Sequence, residues 1–196
     1  AIRPALQVIG VDDGVNNIAG MYIVMTKQGP FFFADTTVNY DPTPQELVDI
    51  TILVEKIVKR FKVKPRIAFL SYSNFGSSEG EDAVKMREAV RLLHNQYPDI
   101  IVDGEVQANF ALNRSLMRER FPFSELSKKK TNTLIFPNLS AGNISYKLMQ
   151  ELGGAEVIGP ILLGMKKPVH VLQIGSSVRE IVNMVAIAAA DVQTRK

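Results

Sequence analysis

The chain has 196 residues, 46% of them hydrophobic and 22% charged, with a formal net charge of +3. These are ordinary globular values that exclude a disordered chain and leave room for one sizeable domain or two small ones. The sequence contains no Cys, which excludes a disulfide framework, a Cys–zinc site and a thiolate nucleophile.

Basic and acidic residues are interspersed, and Trp is absent. A nucleic-acid partner is therefore not expected, since such binders carry a clustered basic face and aromatics for stacking. No uncharged apolar run approaches the roughly 18 residues of a membrane span, and no secretion leader is recognisable, so no membrane partner and a cytoplasmic location are expected. The opening Ala1-Ile2-Arg3-Pro4 reads as a domain excised from a longer chain as readily as a processed start.

Gly20–Gln28 and Phe31–Val38 have strand composition, and Gly29-Pro30 between them predicts a β-hairpin. Thr43, Pro44 and Glu46 form a capping box ahead of Leu47, Ile50, Val54, Ile57, Val58 and Phe61 at helical spacing. Arg66–Tyr72 predicts a buried strand, and a helix from about Glu79 carries Ala83, Met86, Val90 and Leu93 on one side. Ile100–Val102 predicts a strand ending in Asp103-Gly104-Glu105, and Thr133–Phe136 another. A helix follows from about Gly142 to Leu152. Short strands are expected at Ala155–Ile158 and Val169–Leu172, then a last helix with an apolar stripe from Val178 to Val192. Strands alternating with helices from residue 44 predict a three-layer α/β/α fold with a mostly parallel sheet, plus the hairpin.

In such folds ligands gather where strand ends meet helix N-termini. Ser73, Asn74, Gly76 and Ser77 lie in one such loop, where backbone N–H groups could meet a phosphate or a carbonyl oxygen; the same residues also suit an ordinary capped helix start. Asp103 and Glu105 around Gly104 suit a cation or acid–base work, or a turn whose carboxylates cap nearby N–H groups. Asn138, Gly142 and Asn143, with Tyr146 and Lys147 one turn into the helix, form the best binding loop by spacing. Gly159-Pro160 is a rigid turn that shapes a pocket, or a crossover. Lys128-Lys129-Lys130 reads as a solvated loop, with a phosphate contact as the alternative. His94 and His170 have no partner at metal spacing. No Walker A, Gly-x-Gly-x-x-Gly or nucleophile-elbow pattern occurs.

Together, the stretches Ile135–Gln150 (IFPNLSAGNISYKLMQ) and Ile158–Leu172 (IGPILLGMKKPVHVL) resemble the signatures of phosphate acetyltransferases. Val102–Gln107 (VDGEVQ) and Phe69–Ser78 (FLSYSNFGSS) fit the same family in the same order. Phe31–Thr43, Ser73–Ser77, Lys167–Gln173 and Ile181–Met184 sharpen the likeness to the C-terminal region of large bacterial NADP-dependent malic enzymes. The resemblance implies an isocitrate/isopropylmalate dehydrogenase-like fold, self-association as a dimer or higher homo-oligomer, and acetyl-CoA as an allosteric inhibitor. It places this chain in the second subdomain of the transferase-like half (1–160) plus a C-terminal return (161–196) whose helix would pack on an absent first subdomain. NADP and a divalent cation would belong to an absent malate-decarboxylating half, and this part would need no cofactor. Ser73, Asn74, Gly76, Ser77, Asn138, Gly142, Asn143, Tyr146, Lys147, Gly159, Pro160, Gln173 and Glu180 are the acyl-CoA-binding residues it implies.

The sequence departs from the family where chemistry would occur. A Ser-Arg pair precedes the family's Gly at Gly175, but here Gln173 and Ile174 stand there. A further family Arg falls at Glu151, and a candidate base, an Asp, falls at Glu180. Ile174 cannot neutralise a phosphoryl group and Glu151 would repel one. The expectation is a non-catalytic regulatory and oligomerisation module that binds acetyl-CoA. The alternatives are an active phosphate acetyltransferase and a purely structural module.

Overall fold

A computed structural model describes residues 2–172 and 174–194 of the chain. Its elements in order are α1 (Ile2–Ile9), β1 (Ala19–Thr26), β2 (Gly29–Ala34), α2 (Pro44–Arg60), β3 (Ile67–Leu70), α3 (Glu81–Gln96), β4 (Val102–Val106), α4 (Ala108–Leu112), α5 (Arg114–Arg120), α6 (Glu125–Lys128), β5 (Thr133–Ile135), α7 (Leu139–Glu151), β6 (Glu156–Leu163) and α8 (Val178–Thr194).

One six-stranded sheet has the order β4-β3-β5-β2-β1-β6. β4, β3, β5 and β2 are mutually parallel, and only β1 runs against its neighbours β2 and β6. The expected hairpin is thus built into the sheet, Tyr22 facing Phe33 across it. β3 and β5 are buried throughout, as strands covered on both faces must be.

The helices form the outer layers. Leu47, Ile50, Val54, Met86 and Leu93 of α2 and α3 pack with Met21, Ile23, Phe32, Ile67 and Phe69 on one face. Ala111, Met117, Leu126 and Tyr146 of α4–α7 pack with Tyr22, Val24, Phe33, Leu70 and Leu134 on the other. Each such fully buried aliphatic side chain contributes about 1.5–3 kcal/mol. Helix α2 begins as its sequence predicts. Thr43 Oγ1 accepts the Glu46 N–H at 3.3 Å, and Glu46 Oε2 accepts the Thr43 N–H at 2.7 Å.

Four expectations need correction. Asp103-Gly104-Glu105 does not close a strand at a turn but lies within β4, the sheet pairing carrying the chain on to Val106. Helix α7 starts at Leu139, because Asn138 caps it by accepting the Ala141 N–H at 3.0 Å. Around residues 169–172 there is no strand, only an isolated bridge between His170 and Ile161. Helices α1, α4, α5 and α6 were not anticipated; the last three are 5, 7 and 4 residues long, too short for a period to show.

β6 crosses residue 160, and the last helix returns along its edge. Glu156 of β6 accepts from Arg179 at 2.7 Å and Asn183 at 3.1 Å, Met184 enters the α2 core, and Asp191 pairs with Arg60. The rest of the α8 stripe faces outward, with Val178, Val182, Val185 and Val192 more than half exposed. Among the described residues no helix is long and apolar enough to cross a membrane.

Candidate functional site

The C-terminal ends of the parallel strands carry two loops built around buried carboxylates. After β2, Asp35 is 3% exposed. It accepts from the N–H groups of Gly20 (3.2 Å), Thr37 (2.7 Å), Val38 (3.1 Å) and Asn39 (3.1 Å), and from the Asn39 amide. After β3, the Ser73–Ser77 loop closes over Glu105, which is 0% exposed. Glu105 Oε1 accepts from Ser73 Oγ and the Gly76 N–H, both at 2.8 Å, with an Arg87 guanidinium nitrogen 3.7 Å away.

The remaining amides of that loop are also taken. Ser73 N–H goes to Ser71 Oγ, Asn74 N–H to Ser77 Oγ, Phe75 N–H to the Glu105 carbonyl and Ser77 N–H to the Asn74 carbonyl. The N–H groups of Ser73, Asn74, Gly76 and Ser77 therefore do not point at a ligand, as the spacing suggested. The chain's own carboxylate fills the position an anion would take.

Asn138, Gly142 and Asn143 are likewise engaged. Asn138 caps α7, and Asn143 Nδ2 reaches the Thr36 carbonyl at 3.4 Å. Gly142 lets the helix approach the Asp35 backbone so closely that a Cβ would lie 2.5 Å from the Asp35 carbonyl oxygen. These residues dock α7 onto the Asp35 loop and so set where Tyr146 and Lys147 stand.

One turn further along α7, a cleft of about 300 Å³ opens between α7, β6 and the start of α8. Its floor is Tyr22 of β1 stacked on Tyr146, ring centroids 4.0 Å apart. Gly159 makes that stack possible, since a Cβ there would fall 2.5 Å from the Tyr22 ring, and its φ of +153° suits Gly. Lys147, Gln150, Glu151 and Glu180 line the walls, with Leu172, Ile174 and Gly175 at the mouth. The structure thus brings Tyr146, Lys147, Gly159 and Glu180 together; Pro160 is the next residue of β6. No residue of Ser73–Ser77 or Asn138–Asn143 lines that cleft. Gln173 lies outside the described residues.

The cleft's electrostatics are lopsided. Among the described residues one cation, Lys147, faces two carboxylates, Glu151 and Glu180. The nearby Arg179 is held by Glu156 at 2.7 Å. Glu180 is the capping partner of α8. Its Oε2 accepts the Ser177 N–H at 2.6 Å, while its own N–H donates to Ser177 Oγ at 3.2 Å. The backbone bond, then the Ser177 side chain, hold its carboxyl below the ordinary 4.5 and make it a weaker base. Ile174 is wholly exposed.

A family model described as phosphate acetyl/butaryl transferase matches residues 1–189. The chain belongs to that family. It is 44% identical over 188 residues to the NADP-dependent malic enzyme of Salmonella typhimurium, covering 95% of this chain and 25% of that protein. It is 37% identical to the phosphate acetyltransferase of Bacillus subtilis, covering 96% of this chain and 58% of that one. Among solved structures, the EutD phosphotransacetylase from Staphylococcus aureus superposes with a TM-score of 0.90 at 34% identity, over 97% of this chain and 58% of that one. The chain therefore spans a quarter to somewhat over half of these relatives, and the three-layer fold is the one they share.

Two residues of the cleft and its frame escaped sequence reasoning. Tyr22 sits in a strand whose neighbours are all apolar, and its hydroxyl-bearing ring among them was the available sign. Asp35 interrupts the apolar run FFFA, an acid where a buried strand should end.

Proposed function

We propose that this chain is the acyl-CoA-responsive, oligomerising region of a malic enzyme of the NADP-dependent kind, and that it catalyses no acyl transfer itself. The observation that carries this reading is the charge of the cleft: one lysine against two carboxylates, with a solvent-facing Ile174 at its mouth. Acyl transfer to or from phosphate needs preorganised cations on the phosphate and donors on the reacting carbonyl, and losing one such contact costs about 3–4 kcal/mol of transition-state stabilisation. A neutral pantetheine arm makes no such demand. It can lie along the Tyr22–Tyr146 floor and exchange hydrogen bonds with Gln150.

Malate decarboxylation, with its NADP and divalent cation, would be carried by sequence outside this chain. For acetyl-CoA to inhibit it, the effector must bind two assemblies of the whole protein with different affinity. The outward stripe of α8, Val178, Val182 and Val185, supports packing against further chain or a second copy.

The second reading is an active phosphate acetyltransferase, favoured by 37% identity to the Bacillus subtilis enzyme and by a carboxylate, Glu180, at the cleft. Glu180 is engaged in capping α8, its Oε2 accepting the Ser177 N–H at 2.6 Å, which speaks against a general base there. Two assays on the full-length polypeptide test the choice. Acetyl-CoA is expected to bind by calorimetry and to slow malate decarboxylation, while acetyl phosphate and CoA give no acetyl-CoA. Acetyl phosphate turnover lost on altering this region would replace the first reading by the second. Absence of any acetyl-CoA heat would leave a purely structural module.

A further inference from the structure

A second cavity, about 520 Å³, opens at the β1–β2 turn, on the face covered by α4 and α7. It is larger than the cleft and shares none of its lining residues. Phe31 and Phe33 form its floor, and Met25, Leu112 and Met149 its walls. The floor is buried, but Met25 (39%), Leu112 (44%) and Met149 (37%) remain exposed. Two unbranched Met side chains can re-pack around a guest. The volume lies in the roughly 300–1,000 Å³ range of small-ligand sites.

The charge at this cavity is of one sign. Lys27 lines it and no lining residue is acidic. Lys130 stands at the rim, its Nζ 5.9 Å from the Phe31 ring centroid and 3.3 Å from the Gln28 carbonyl oxygen. A second copy docking here about a two-fold axis through the cavity would bring these lysines close to their own counterparts. An apolar floor under a rim with only cations instead suits an anion with an apolar tail. We propose that the cavity at the β1–β2 turn binds a medium-chain carboxylate, its tail between Phe31, Phe33 and Met149 and its head group at Lys27 and Lys130.

The site is independent of the acyl-CoA reading, and the methionines separate the two. Met25 and Met149 line this cavity, whereas Met184 lines the cleft. The full chain with 13C-methyl Met is titrated with sodium hexanoate, octanoate and decanoate. Met25 and Met149 methyl resonances are expected to shift together and saturate, with Met184 unmoved. Affinity should rise about fourfold for each added methylene, as burial of the tail requires. Lys27→Glu with Lys130→Glu, both exposed positions, should weaken decanoate roughly tenfold with the chain still folded. Shifts led by Met184, affinity indifferent to tail length, or unchanged affinity in the charge-reversed chain would overturn the proposal. So would Met25 and Met149 shifts that follow protein concentration without added carboxylate, which would assign the cavity to a second copy.

Discussion

The Asp35 and Glu105 loops and the Tyr22–Tyr146 cleft belong to one sheet, yet they solve opposite problems. In the loops, small polar residues and turns gather backbone N–H groups at strand ends, the arrangement that binds anions in many α/β proteins. Both are closed from within by a buried carboxylate. In the cleft no internal group among the described residues fills the space. A Gly at 159 and a pair of stacked tyrosines keep it open, and its walls repel rather than attract phosphate. The difference teaches that a polar, glycine-bearing loop at a strand end is not by itself a ligand site. What matters is whether its donors are already spent.

That contrast can be broken most severely at the filled loops. Asp35→Ala would strand the Gly20, Thr37, Val38 and Asn39 N–H groups. The expected loss is about 3 kcal/mol or more, read as a lower urea midpoint. Glu105→Ala should cost about 1–3 kcal/mol, since it unpairs the Gly76 N–H and leaves Ser73 Oγ only its bond to Ser77 Oγ. A loss under 1 kcal/mol in both would mean the loops do not depend on their internal anions.

The cleft is more forgiving of its walls than of its floor. Gly159→Ala drives a methyl into the Tyr22 ring and is expected to cost about 1–3 kcal/mol and to abolish whatever the cleft binds, testable by calorimetry with acetyl-CoA. Glu180 should give a smaller, pH-dependent effect. Its folded pKa lies below its ordinary 4.5, so the cap's contribution is fully present above that pH. It is lost as pH falls through the lower folded value. The protection factor of the Ser177 amide, its exchange rate relative to the intrinsic rate at each pH, should drop there as pH is lowered from 5, and Glu180→Gln should flatten that profile.

The smallest effect on stability is expected at the mouth. Ile174 is wholly exposed, so Ile174→Arg should change stability by no more than about 0.5 kcal/mol. Combined with Glu151→Gln it reverses the sign of the cleft, and phosphate should then compete with acetyl-CoA where it did not before. Competition already present in the unaltered chain would contradict the charge argument.

Much of the fold was readable beforehand. The Thr43-Pro44-Glu46 cap and the period of α2 are local signals, and the helix formed where they pointed; the hairpin formed too, but it turns at Lys27-Gln28, with the expected turn residues Gly29 and Pro30 already paired in β2. The short helices between Ala108 and Lys128 were not readable, because each presents too few residues to the core to show a period. β4 was misjudged because Asp103 and Glu105 are polar enough to suggest a turn; pairing with β3 keeps the chain extended, and Ser73, Gly76 and Arg87 accommodate Glu105. Of the expected site residues, Tyr146, Lys147, Gly159 and Glu180 meet at one cleft. The Asn138–Asn143 group supports it from behind, and Ser73–Ser77 stands elsewhere.

Residue order alone settled the capped helix α2, the alternation of strands and longer helices, and the family, because these depend on neighbours along the chain and on motif identity. Which carboxylate ends up buried against which amide, and where an open space is left, depends on approach distances of a few tenths of an ångström between segments far apart in sequence. Asp35 under α7 and Tyr22 under Gly159 are such meetings, and only the packed sheet and helices could decide them.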